Sequence, residues 1–199
     1  DQLLDKDDAG LIADSAYLRL FREGSPGRRV ALLHGRRLFD HPWIDVALTE
    51  VVEPQLTEAE QPLAARDADR VPDDRWDALL AAHLAPTTGP ASVRKTRSEV
   101  IRNLIRLGLI ELRGGAARQT YVRRAQPDGV AFAWLLAFEL RRANRTEADL
   151  RWALHQSRAR RLFATTDAYA ERCLDEGARA GVLRRGFLAG QPRLHLGSL

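Results

Sequence analysis

The sequence predicts a mainly α-helical fold with small β-hairpins, arranged as two similar modules behind a set of N-terminal helices. Three observations lead there. Residues 96–124, TRSEVIRNLIRLGLIELRGGAARQTYVRR, pass from an amphipathic basic helix through Gly108 into a strand, a Gly-Gly turn and a second strand. The same order returns later, where a helix capped by Thr165, Thr166 and Asp167 meets Gly181 and then strand, glycine-containing turn and strand. Charge also changes sign just before the first of these stretches. Residues 1–90 hold 10 Lys/Arg against 17 Asp/Glu, whereas residues 91–199 hold 21 against 10. That segregation suggests that the second half meets a polyanion, while the first packs, dimerises or meets something basic.

In chain order, residues 2–23 read as a helix, with rows Ile12, Ala16, Leu20 and Ala13, Tyr17, Phe21, ended by Gly24-Ser-Pro-Gly27. Residues 28–39 suit helix or strand, with helix preferred. Pro42 fits the first position of a further helix whose apolar face (Trp43, Ile44, Ala47, Leu48, Val51, Val52) runs up to Pro54. Residues 53–74, acidic and interrupted by Pro54, Pro62 and Pro72, read partly as an exposed connection, with Thr57 and Glu60 spaced to cap a short helix. Trp76, Leu79, Leu80 and Leu84 mark a buried helical face, broken by residues 85–90, after which either residues 92–95 add a helical turn or the two helices are joined more loosely than by a tight turn. Thr96 and Glu99 then form the spacing of a capping box at the start of the basic helix. Residues 125–129 read as a linker. After them, residues 130–142 form a helix apolar on most of its surface, hence central to a core or buried between domains. Thr146 and Asp149 offer another cap, and Ser157 starts a short helix through Phe163. Placing Gly181 on Gly108 sets Cys173 on Val100, Leu174 on Ile101 and Ala180 on Leu107.

Composition narrows the function. An apolar fraction of 45% and a charged fraction of 29% are ordinary for a globular chain. Cys173 is the single cysteine, which excludes an internal disulfide or a cysteine-based zinc site and suits a cytoplasmic setting. No signal peptide is expected, and the most apolar run, residues 130–138, is far short of the roughly 20 residues of a membrane span, so no membrane partner is expected. His34, Asp40, His41 and Asp45 match no ligand motif, and His83, His155 and His195 stand alone, so neither a metal nor a cofactor is expected. No nucleophile has a base beside it and no phosphate-cradling loop is present, so the chain is expected not to be an enzyme. Cys173 and the four tryptophans, Trp43, Trp76, Trp134 and Trp152, lie in apolar helical patterns and read as core.

The pattern Thr96, Val100, Ile101, Leu104, Gly108, Leu109, Ile110 is similar to the recognition helix and first wing strand of bacterial winged-helix regulators such as the GntR and MarR families. The resemblance implies tandem winged helix-turn-helix modules: an N-terminal helical region with the acidic connection at 1–75, a first module at 76–125 and a second at 126–199. It further implies that the helix enters a major groove while the wing approaches backbone or minor groove. Arginine pairs bidentately with guanine and asparagine with adenine. Arg94, Lys95, Arg97, Arg102, Asn103 and Arg106 are the candidates on or before the helix, with Arg113, Arg118, Arg123 and Arg124 on the wing. Thr96 and Ser98 are placed to donate to phosphate beside backbone amides at the helix start. Arg158, Arg160, Arg161, Arg179, Arg184, Arg185 and Arg193 form the analogous set in the second module, where Asp175 and Glu176 oppose phosphate. The expected function is non-enzymatic binding of double-stranded DNA. The alternative is an assembly or adaptor subunit of a DNA-processing, chromosome-organising or defence complex, forming a homodimer or holding a protein partner through the N-terminal helices or the second module.

Overall fold

Two short helices, α1 (Ala16–Glu23) and α2 (Pro26–Leu38), open the described part of this computed structural model, which comprises residues 16–114 and 118–197. The predicted helix before residue 16 and the turn residues 115–117 lie outside it. Ser25 caps α2 by accepting from the Arg28 amide at 3.2 Å, and Pro26 takes the first helical position, so the stretch that suited helix or strand is helical.

The helix that starts at Pro42 does not end at Pro54. It runs as α3 (Pro42–Ala47), a π-helical turn (Leu48–Val52) and α4 (Glu53–Ala59), with the residues at both junctions in right-handed helical conformation. A proline inside an α-helix lacks its N–H and presses its ring on the carbonyl four residues back. In the widened turn the Glu53 amide donates to the carbonyl of Leu48 five residues earlier, and the helix passes through Pro54 unbroken. The predicted cap at Thr57 and Glu60 is therefore not formed; the Thr57 hydroxyl lies inside α4 and donates to the Glu53 carbonyl at 2.9 Å.

Next come β1 (Arg70–Val71), α5 (Asp73–His83), α6 (Pro90–Arg106), β2 (Ile110–Arg113) and β3 (Gln119–Val122). Then follow α7 (Gly129–Arg142), β4 (Glu147–Asp149), α8 (Leu150–His155), α9 (Arg158–Phe163), α10 (Asp167–Arg179), β5 (Leu183–Leu188) and β6 (Gln191–Leu196). The chain is mainly helical, with two small antiparallel three-stranded sheets in the orders β1-β3-β2 and β4-β6-β5. Neither β1 nor β4 was foreseen, because strands of two and three residues carry no readable alternation. At β4 the expected Thr146 cap gives way: Asp149 alone caps α8, accepting from the Arg151 amide at 2.6 Å.

Contacts divide the chain into two units rather than three consecutive segments. One is residues 40–125; the other joins the described residues up to Phe39 to those from Gln126 onward. In the first, α3, α4 and the π-helical turn between them carry buried Ile44, Leu48, Val51, Val52 and Leu56 beside Trp76, Leu79, Leu80, Val100 and Leu104. Trp76 Nε1 donates to Thr120 Oγ1 at 3.1 Å, and that hydroxyl donates to the Val71 carbonyl at 3.3 Å, tying α5 and β1 to β3. In the second, α7 is the centre, with its residues from Gly129 through Phe138 and Leu140 buried and α2, α9 and α10 packed on it. Asp128 caps α7, accepting from the Val130 and Ala131 amides at 3.1 Å each.

Candidate nucleic-acid interface

The basic helix starts at Pro90, ahead of the start that Thr96 and Glu99 suggest, and takes in residues 92–95. Gly89 is the N-cap and Pro90 the first helical residue, a place where proline's fixed φ and missing N–H suit the helix. Thr96 and Glu99 lie two turns inside α6, so they form no capping box, and the amides beside Thr96 and Ser98 are not free for phosphate. The break after α5 is correspondingly shorter, Leu84 to Gly89.

Of the twelve candidate residues, α6 brings a subset onto one outer face. Val93, Val100, Leu104 and Leu107 turn inward with Thr96 and Arg97 flanking them, and Arg94, Ser98 and Arg102 form an exposed i, i+4, i+8 row opposite. Lys95 and Arg106 line one side of that row and share it with Glu99. Among the described residues no hydrogen bond or ion pair engages the side chains of Arg94, Lys95 or Arg102, nor that of Arg118 at the β2–β3 hairpin. Ile105, which lies off the apolar stripe of the helix, is 37% exposed on this same face.

The remaining candidates are placed otherwise. Asn103 is only 4% exposed, and its side-chain oxygen accepts from Arg106 at 3.4 Å; it faces the body of the unit and is corrected from base reader to packing residue. Arg97 bonds Asp73, and Asp77 at 3.1 Å, clamping α6 to the first turns of α5. Arg124 makes a bidentate pair with Glu60 at 2.5 and 2.6 Å. Arg113 lies over the Tyr121 ring, 4.4 Å from its centroid, and pairs with Asp69 at 2.9 Å and Glu111 at 3.5 Å. The bond to Glu111, reinforced by Asp69, pushes the Arg113 pKa up. Arg123 donates to the Gly108 carbonyl at 3.0 Å and lies 3.9 Å from Glu111. These four arginines hold the unit together as well as adding positive charge. Sequence spacing had no means of separating them from the unpaired set, because their acidic partners lie up to 64 residues away.

The hairpin's geometry follows from Gly108, whose φ of 78° ends α6. The Gly108 amide donates to the Ile105 carbonyl and the Leu109 amide to the Leu104 carbonyl, each at 2.9 Å, which turns the chain directly into β2. Pairing of Ile110 with Val122 through Arg113 with Gln119 then carries Arg113 and Arg118 to the far end of the hairpin, away from the core.

Among the described residues no group of His, Cys, Asp and Glu is arranged to hold a metal, and no helix is long and apolar enough to cross a membrane. No family model matches the chain, and neither does any curated protein or any solved structure.

Proposed function

We propose that this protein is a non-enzymatic, cytoplasmic binder of double-stranded DNA, and that each unit is a winged helix-turn-helix module. The fold supports the second part: each unit runs helix, strand, helix, helix, strand, strand, with a sheet in the order first-third-second. The unit at 40–125 contains a helix of its own, α3 to α4, which falls within the N-terminal region expected at 1–75. The second unit adds α1 and α2 against α7 and a short α9 before α10.

The observation that carries the DNA reading is the outer face of α6. A helix of 17 residues is roughly 25 Å long, enough to lie along a major groove, which admits one helix. Arg94, Lys95 and Arg102 stand on it without acidic partners, so their charge is available to phosphate or to base edges. Ser98 sits between the two arginines as a short donor, and Ile105 offers an apolar contact of the kind made with a thymine methyl. Arg118 on the wing adds a cation for backbone.

Counterion release makes this testable. Titrating duplex binding against salt by fluorescence anisotropy, the triple variant R94A/K95A/R102A is expected to lower the slope of log K on log salt by about 2.7, with a loss on the order of a hundredfold at 0.1 M salt. Parent-like affinity and slope in that variant refute the assignment of α6.

The adaptor reading is favoured by one observation, the exposure of Phe187 (80%) and Leu188 on the tip of the β5–β6 hairpin. Light scattering discriminates: a stable oligomer that loses its mass in F187S/L188S and has no affinity for DNA favours the adaptor.

A further inference from the structure

Because the two units share one element order, the outer-face positions of α6 from Arg94 onward have counterparts on α10. The helix ends set the correspondence. Gly108 and Gly181 both take positive φ, 78° and 75°. The following amides, Leu109 and Val182, donate to Leu104 and Gly177 at 2.9 Å each, and after the last strand the Arg123 and Gly197 amides donate to Leu109 and Val182 at 2.9 Å each. Counting back from the two glycines, Arg94, Ser98 and Arg102 match Asp167, Glu171 and Asp175, all three exposed. The row that is cationic in one unit is wholly acidic in the other, and Lys95 is matched by Ala168.

The inversion reaches beyond the helix. Asp167 draws in Arg160 at 3.3 Å and lies 3.6 Å from His155 Nδ1, while Asp175 holds Arg185 of β5 at 3.0 Å. Glu147 lies 3.7 Å from Arg193, and Arg158 bonds the Phe39 carbonyl. Most arginines that made the second unit look basic in sequence are therefore engaged within it. Arg184 stands exposed without a partner among the described residues, and the Arg179 side chain reaches only the Asp175 carbonyl, at 3.4 Å.

Resting on the DNA reading above, we infer that duplex is held by the unit at 40–125 alone, and that the acidic row of α10 keeps the second unit's corresponding helix off phosphate. The protein then engages DNA with one module per chain. The salt dependence is set by α6 and its wing, and the protected segment is that of a single module although the chain has two.

The full chain tests this by salt-titrated duplex binding together with hydroxyl-radical footprinting. R179A/R184A, which removes one exposed cation at the end of α10 and one on β5, is expected to change affinity by less than about twofold and to leave the salt slope in place. Transplanting the α6 row with D167R/E171S/D175R is expected to raise the slope by about 1.8 and add a second protected segment. D167N/E171Q/D175N keeps side-chain size and releases Arg160 and Arg185, so it raises the slope in the same direction and stands in should the transplant misfold. A loss of about fivefold or more with a shallower slope in R179A/R184A overturns the inference, as do parental slope and footprint in the folded acidic-row variants. A parent with no salt-dependent duplex binding overturns the DNA reading itself; a parent that binds but depends on Arg179 and Arg184 overturns only the one-module inference.

Discussion

Replacing Gly177 with alanine should destabilise the unit that contains it, against the ordinary benefit of removing a glycine from a helix. Gly177 lies in α10 where it crosses α7, and a Cβ built on it would stand 2.1 Å from the Cβ of Ala133 and 3.6 Å from its Cα. Carbon atoms in contact prefer about 3.5–4.0 Å, so the helices must part by roughly 1.5 Å, and neither methyl has a torsion through which to move aside. Overpacking of this kind costs about 1–3 kcal/mol, while the helical preference of alanine over glycine returns about 1 kcal/mol. The crossing is the centre of the unit, with Ala131, Ala133 and Ala137 buried along it, so the upper part of the range applies and the net loss should be about 1–2 kcal/mol. With a urea slope of about 1–3 kcal/mol/M, that moves the denaturation midpoint down by roughly 0.5–1 M. The companion change A133G makes room for the new methyl. Alone it should cost about 1 kcal/mol; in the G177A background it should recover stability, giving a double-mutant coupling of roughly 2 kcal/mol. Urea unfolding followed by circular dichroism measures all four proteins. A G177A chain as stable as the parent, or purely additive effects in the double variant, would refute the close-crossing argument.

Three further outcomes are expected. T120V should cost about 1–3 kcal/mol in urea unfolding, because it leaves Trp76 Nε1 without an acceptor in the core and removes the hydroxyl's bond to the Val71 carbonyl. Asn103→Ala should lower stability while leaving DNA affinity and salt slope at parental values; a selective loss of duplex binding would return it to the groove. Cys173 is buried and its thiol is pushed up to about 12 by burial first, so an aromatic disulfide reagent at pH 8 should label it only in denaturant. Since the folded thiol keeps a proton that the unfolded one releases near pH 9.0, its contribution to stability is complete below that pH and is lost as pH rises toward 12. Tyr169, also raised by burial, titrates in the same direction, so the comparison that isolates the thiol is the pH dependence of C173S.

Much of the local structure was determined by sequence alone, because its causes are local. Ser25, Asp128, Ser157 and Thr166 cap their helices through side-chain oxygens two or three residues from the amides they satisfy. Gly108 and Gly181 end theirs in the left-handed backbone region, which glycine alone enters without steric cost. The buried character of α7 and the turn at Ala189-Gly190, both with positive φ, belong to the same class. Tertiary structure decided what depends on partners distant in the chain. The paired state of Arg97, Arg113 and Arg124 was one such matter, and the inward direction of Asn103 another. It also decided that the helix from Pro42 continues through Pro54 into the unit it helps to build, and that β1 and β4 complete each sheet. The physical reason is common to these cases. A cap or a glycine turn is stabilised by atoms within one helical turn, whereas an arginine's freedom depends on which carboxylates the fold brings to it. Sequence could therefore count the cations of residues 91–124, but only the fold separated Arg94, Lys95 and Arg102 from those already engaged.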